Sequence, residues 1–185
     1  MSDSNKSRQR RKILQHRQSL DAEDWQSKSQ AICDRLQTLT QFQAAQTILA
    51  YFSFRQEPDL SPLFNLHKNW SFPRCVDKSL VWHLWQPGNP LETGKYGIAA
   101  PLDSSPTIDA AIADLILVPT VASDRQGYRL GYGGGFYDRL LSNERQLNVP
   151  TIGIVFDFAY GIQIPLDPWD KSLDFVCTET NLYNY

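Results

Sequence analysis

At 185 residues, with 42% hydrophobic and 21% charged side chains, the chain is long enough to close one core and is neither fibrous nor disordered in composition. A formal net charge of −2 excludes a bulk polyelectrolyte for nucleic acid or an anionic membrane. Three scattered cysteines with no CxxC pair, and three scattered histidines, argue against a disulfide framework and a zinc site. No apolar run is long enough to span a bilayer, and the polar, basic N-terminus has no apolar centre that would read as a secretory signal. The expectation is one domain over residues 1–185, in a reducing, cytoplasmic setting.

Residues 5–20 form the first expected element, a basic helix at the head of the chain. On a 3.6-residue period Lys6, Arg10, Ile13, Arg17 and Leu20 fall within about 80° of one another, while Arg8 and Lys12 point elsewhere. Lys6 and Arg10 near the helix start oppose its dipole, so helix stability does not account for them. An anion held against that face would account for them, and so would a solvated basic face or a nucleic-acid-binding tail. Asp21 and Asp24 read as the capping arrangement of a second helix, with Trp25, Ile32, Leu36 and Leu39 on its apolar face. Cys33 lies beside that face and reads as core.

Thr47–Phe54 is apolar and β-favouring, hence a buried strand. It runs into Glu57, which is either a solvated loop acid or a substrate-contacting acid, since ligands of open α/β sheets gather beyond the carboxyl ends of strands. Asp59 would cap a short helix from Leu60 to His67. Short strands follow at Trp70–Pro73 and Leu80–Trp85. Trp82 and Trp85 must face opposite sides of a regular strand. Gly94–Ile98 is a glycine-containing loop, and 101–110 reads as an irregular connection. Asp114–Pro119 is the most apolar strand and therefore central in the sheet. Asp124–Gly127 is a turn. A helix over Phe136–Arg145, a strand over Thr151–Phe156, an irregular segment over Asp157–Pro168 and a strand over Phe175–Thr178 complete the chain. The alternation predicts an α/β fold with a largely parallel sheet.

The most informative stretch is Gly127–Arg139. Four of the ten glycines fall between Gly131 and Gly135. Such a cluster is costly unless the backbone needs positive φ or close approach to a ligand. Arg129 precedes it and a helical pattern follows, which suits phosphate binding; the alternative is a mobile surface loop. It is not a Walker A loop, because no Gly-Lys-Ser/Thr follows. Nor is it a dinucleotide fingerprint, because Phe136 stands where the third glycine belongs and the preceding strand ends too early. Asp138, in the first turn of the helix, is placed either to complement the dipole or to hold magnesium on phosphates. Asp170 is a candidate second carboxylate.

The segment Arg129–Arg139 (RLGYGGGFYDR) resembles the signature of the 5-formyltetrahydrofolate cyclo-ligase family, also called 5,10-methenyltetrahydrofolate synthetases. The resemblance extends through Lys6 and Arg10, Tyr51–Glu57, Leu91 with Gly94–Ile98, Asp114–Pro119 and Asp170–Glu179. It implies a three-layer α/β/α sandwich and ATP- and magnesium-dependent conversion of 5-formyltetrahydrofolate to 5,10-methenyltetrahydrofolate. The family's route is phosphorylation of the formyl oxygen, then ring closure with loss of phosphate. Carried over by position, Lys6, Arg10 and Arg129, Leu130, Gly131, Tyr132, Gly133, Gly134, Gly135, Phe136 and Tyr137 would contact ATP. Phe52, Glu57 and Tyr132–Phe136 would contact folate, Asp138 and Asp170 would bind Mg2+, and Arg129 and Asp138 would be the catalytic pair. A monomer is expected, with no nucleic-acid partner.

The chain departs from the pattern in three places. It has Ala100 where the family often has glutamate, Trp169 where histidine is common before the aspartate, and a segment Pro119–Asp124 that lacks the glycine and phenylalanine often seen after the proline. The competing readings are a nucleotide- or RNA-binding protein of this fold without ligase activity, and an enzyme of this fold that has lost folate activity. The first would require a basic surface beyond residues 6–17.

Overall fold

The computed structural model describes residues 2–142 and 148–185. In chain order its elements are α1 (Ser2–Gln18), α2 (Ala22–Thr38), α3 (Thr40–Ala44), β1 (Thr47–Leu49), β2 (Asn69–Val76), β3 (Ser79–Leu84), β4 (Leu91–Thr93), β5 (Ala99–Pro101), β6 (Thr107–Ile108), β7 (Leu115–Pro119), β8 (Ala122–Ser123), β9 (Arg129–Leu130), α4 (Phe136–Leu141), β10 (Thr151–Ile154), β11 (Phe175–Cys177) and β12 (Leu182–Asn184). An eight-stranded sheet has the order β12-β11-β10-β7-β1-β2-β3-β6. Its centre, from β2 through β11, is parallel. Its edges are antiparallel.

β7 shows why the sheet is a middle layer. Leu115 and Leu117 belong to one core, with Ile32 and Leu36 of α2 and Phe42 of α3. Ile116 and Val118 belong to the other, with Ile13 of α1 and Leu140 and Leu141 of α4. An apolar run in a parallel strand is needed to fill both faces in this way. The fold is thus the expected three-layer α/β/α arrangement. The two tryptophans divide as strand parity requires: Trp82 packs into the α1/α4 core and Trp85 against the α2/α3 core.

Several expected boundaries move. The strand expected over Thr47–Phe54 keeps its ladder only to Leu49, with Ala50 N still donating to Ser71 O at 2.9 Å. Beyond it the chain turns over the carboxyl edge of the sheet. There Phe54 N donates to Glu57 Oε2 at 3.1 Å and Glu57 N to Phe54 O at 3.1 Å, so its polar groups are satisfied outside the ladder. The helix expected from Leu60 to His67 is a single 3₁₀ segment, Ser61–Asn65, and Asp59 does accept from Ser61 N at 3.0 Å. The two strands expected at 70–73 and 80–85 are one hairpin, β2–β3, closed by Asp77 and Lys78 with Asp77 at φ 50°. So short a connection cannot make the crossover that a parallel pair needs. The segment expected to be irregular at 101–110 contributes the edge strand β6. The strand expected over Thr151–Phe156 ends at Ile154, and that over Phe175–Thr178 at Cys177. The helix expected over Phe136–Arg145 is seen over Phe136–Leu141; residues 143–147 of that expectation lie outside the described residues. The strands β4, β5 and β12 carry no clear alternation and were not anticipated.

The N-terminal helix follows its stripe. Ile13 is buried, Leu20 packs against the α2/α3 core, and Arg17 is buried, while Arg8 and Lys12 stay exposed. Asp21 caps α2, its side chain accepting from Asp24 N at 2.8 Å. Cys33 is core, and burial pushes its thiol up to about 12. Among the described residues no helix is long and apolar enough to cross a membrane.

Candidate active site

Beyond the carboxyl ends of β1 and β7 lies a cavity of about 440 Å³. Its wall is built by segments far apart in sequence. α1 supplies Lys6 and Arg10. The chain after β1 supplies Phe52, Phe54, Arg55 and Glu57. The β4–β5 hairpin supplies Gly94, Lys95, Tyr96, Ile98 and Ala100. The stretch from Arg129 to Asp138 forms one side, and Asp170 closes the rim. Every candidate named from the sequence therefore faces one space: Lys6, Arg10, Phe52, Glu57, Arg129–Asp138 and Asp170.

The glycine loop begins after the β8–β9 hairpin, whose turn Asp124 organises by accepting from Gln126 N at 2.8 Å and Tyr128 N at 3.0 Å. Gly133 has φ +94° and Gly135, the N-cap of α4, has φ +67°. These are conformations L side chains rarely adopt. A Cβ built on Gly133 would stand 3.5 Å from the Arg10 guanidinium, so Arg10 lies directly over the loop. Arg10 Nε donates to Gly131 O at 2.7 Å.

Lys6 and Arg129 meet acids. Lys6 Nζ lies 2.6 Å from Asp167 and 3.0 Å from Asp170. Desolvation pulls its pKa down, but the hydrogen bonds and charges of the two aspartates together outweigh it and the pKa is raised. Asp170 also accepts from Asp167 N at 2.8 Å. That geometry holds Asp170 on the cavity although Trp169 beside it is exposed. Arg129 is buried, donating to Asp138 Oδ1 at 2.5 Å and to Lys171 O at 3.0 Å. Burial lowers its pKa despite the nearby Asp138 and Asp170.

The opposite side is aromatic. Phe52 stacks on Phe72 at 3.9 Å between ring centroids and meets Trp85 edge-on at 5.1 Å. Tyr96 meets Phe136 edge-on at 6.3 Å. Glu57 lies beneath, 4% exposed. Burial pushes its carboxyl up to about 7, although Arg17 and the Phe54 N–H pull it back. Tyr137 and Tyr132 are raised above the ordinary phenol range, chiefly by burial and then by Glu57.

Arg74, Cys75, Lys95 and Tyr96 also line the cavity and were not named from the sequence. Lys95 and Tyr96 lie within the glycine-containing loop 94–98 that the sequence did mark, whereas nothing local marks Arg74. Arg74 bears on a departure noted above. Ala100 stands directly across the β4–β5 ladder from Glu92, and Glu92 bonds Arg74.

A cavity at the carboxyl ends of parallel strands, pairing fixed cations on one side with aromatic walls on the other, marks the protein as an enzyme of small substrates with an anionic and a planar part. The model of the 5-formyltetrahydrofolate cyclo-ligase family matches residues 2–179. The chain belongs to that family. It is 31% identical to the 5-formyltetrahydrofolate cyclo-ligase of Mycolicibacterium smegmatis over 96% of this chain and 95% of that one. It is 28% identical to that of Escherichia coli K12 over 94% of this chain and 100% of that one. The NMR structure of Aquifex aeolicus 5,10-methenyltetrahydrofolate synthetase superposes with a TM-score of 0.85 at 30% identity, covering 97% of this chain and 92% of that chain.

Proposed function

We propose that the cavity binds ATP and 5-formyltetrahydrofolate together and converts them to 5,10-methenyltetrahydrofolate, ADP and phosphate. The observation that carries this reading is that one cavity holds both the cation-rimmed glycine loop and the aromatic wall with its buried carboxylate. The loop of Arg129–Tyr137, with Lys6 and Arg10, takes the triphosphate. Phe52 offers a ring face to the folate, Glu57 offers a carboxylate, and Tyr132–Phe136 lie where the two substrates meet. Phosphoryl transfer to the formyl oxygen is a matter of alignment and charge neutralisation, and these backbone donors and cations suit it without a protein nucleophile. The neighbouring folate nitrogen then closes the ring on the activated carbon, and phosphate leaves.

Asp138 and Asp170 both face the cavity and offer hard oxygen ligands. Among the described residues no group of three or more His, Cys, Asp and Glu gathers to hold a metal. A two-carboxylate donor set fits magnesium, which takes one or two protein carboxylates and completes its shell with phosphate and water. When bound there it would neutralise phosphate charge. The basic stripe of α1 supports the enzyme reading over a nucleic-acid tail, since Lys6, Arg10 and Arg17 are all engaged inward. The protein acts as a cytoplasmic monomer, a single domain over residues 1–185.

The test is the absorbance of the methenyl product appearing from 5-formyltetrahydrofolate, with and without ATP and magnesium. No turnover by pure, folded protein would end this reading. A second measurement probes the loop. Gly133→Ala should cost about 1–2 kcal/mol in denaturant unfolding because of its positive φ. It should also raise the KM for ATP roughly tenfold, since the loop must open its angle beneath Arg10. A KM for ATP unchanged in Gly133→Ala would remove the loop from the triphosphate site.

A further inference from the structure

Arg17 is the buried cation that the scheme above leaves unused. It is 2% exposed and stands behind the cavity wall, on the helix that carries Lys6 and Arg10. Its guanidinium ties α1 to two other segments. Nε donates to Arg55 O at 3.0 Å, and Nη2 reaches Phe54 O at 3.5 Å and the Tyr132 hydroxyl of the glycine loop. It also lies 5.6 Å from the Tyr132 ring centroid.

The turn it grips is strained. Arg55 and Gln56 are consecutive non-glycine residues at φ 50° and 54°. Such residues are disfavoured by clashes of their Cβ and persist only where their surroundings over-determine them. Here the surroundings are the N-terminal helices: Arg17 on the Arg55 carbonyl, Gln56 Nε2 on Leu20 O at 3.0 Å, and Trp25 Nε1 on Glu57 O at 2.9 Å. The guanidinium spreads its donors, Nε and Nη2, over a fixed planar fork that reaches two carbonyls and a hydroxyl, a geometry that the compact ammonium of lysine does not reproduce.

We propose that Arg17 is a positioning residue that fixes the Glu57-bearing turn and Tyr132 to the helix carrying the nucleotide-side cations, and so sets the two substrates in register. This rests on the assignment above of Lys6 and Arg10 to ATP and of Glu57 to folate. Loosening Arg17 frees the folate side. The nucleotide side keeps its own anchors, Lys6 on Asp167 and Asp170, and Arg10 on Gly131 O.

The experiment is steady-state kinetics on Arg17→Lys, Tyr132→Phe and the double variant, with thermal melts alongside. Losing hydrogen bonds to a charged group should raise the KM for 5-formyltetrahydrofolate about tenfold or more in Arg17→Lys, with the KM for ATP within about twofold of wild type. Tyr132→Phe should raise the folate KM in the same direction, and the double variant should be no worse than Arg17→Lys, because both break one link. A folate KM unchanged in Arg17→Lys, equal rises for both substrates, or additive effects would overturn the proposal. Should Arg17→Lys not fold, Tyr132→Phe decides alone: a folate-selective rise supports the link and parity between substrates overturns it. Wild-type protein without ATP-dependent turnover would remove the functional reading and this proposal with it. Turnover with an unchanged folate KM would remove this proposal alone.

Discussion

Asp138→Asn is expected to lower kcat/KM by about three orders of magnitude while lowering the melting temperature by about 2–12 °C. The structural cost is bounded by what Asp138 touches. Its side chain is 39% exposed and, among the described residues, it makes one ion pair, to Arg129. Arg129 retains the Lys171 carbonyl when that pair weakens. The position in the first turn of α4 adds a dipole contribution of a few tenths of a kcal/mol. Together these amount to about 1–3 kcal/mol, with roughly 2–4 °C per kcal/mol for a chain of this size. The catalytic cost is larger, because a group that stabilises charge developing on a transferring phosphoryl is worth about 3–4 kcal/mol or more. Raising magnesium should recover part of the lost rate, since the asparagine variant binds metal more weakly. Steady-state assays over a magnesium series, with melts on the same samples, separate the two effects. A rate loss below about tenfold at every magnesium concentration would leave Asp138 only its helix-dipole and ion-pairing role.

Glu57→Gln is expected to make the ligand-free protein more stable above neutral pH and a much poorer folate binder. The Glu57 carboxyl rises from its ordinary 4.5 to about 7 on folding, because burial penalises its charged form. The fold therefore prefers the protonated acid. The stability Glu57 contributes is full below about pH 4.5 and is lost as pH rises through about 7. With about 1.4 kcal/mol per pKa unit, the difference across that window is of order 3 kcal/mol. Glutamine does not ionise, so the variant should match wild type near pH 4.5 and exceed its melting temperature by several degrees at pH 8. Its affinity for 5-formyltetrahydrofolate should fall about a hundredfold, since a buried charged acceptor is replaced by a neutral one. Melts of both proteins from pH 4.5 to 8, with titration calorimetry at pH 7.5, check both halves. A variant less stable than wild type at pH 8 would show that Glu57 is held ionised by its surroundings and carries no such cost.

Both predictions concern residues visible in the sequence, and that visibility has a physical basis. The glycine loop could be read because positive φ and close approach are local demands, met by residue identity at single positions such as Gly133 and Gly135. The α1 stripe could be read because helical period alone puts Lys6, Arg10, Ile13 and Arg17 on one face. The apolar run of β7 announced a central strand because only a strand covered on both faces tolerates it. Asp138 followed from its place in the first turn after the loop.

Other features could not be read that way. The length of β1 depends on where its neighbours stop pairing. The hairpin β2–β3 depends on a turn at Asp77 that carries no glycine signal. Arg74 reaches the cavity from a strand whose sequence does not distinguish it.

Residue type and spacing alone set out the chemistry available here: a glycine loop for phosphate, cations at the N-terminus, a carboxylate after the first strand and two more near the loop and the C-terminal segment. Those are local properties of residue type and spacing. That they share one cavity, that Lys6 meets Asp167 and Asp170 from the far end of the chain, and that burial pushes the Glu57 carboxyl up to about 7 all follow from the folded arrangement. It also placed Arg17 behind the wall, holding a strained turn and Tyr132. These depend on burial and on contacts between segments distant in sequence, which exist only once the sheet has closed between its two helical layers.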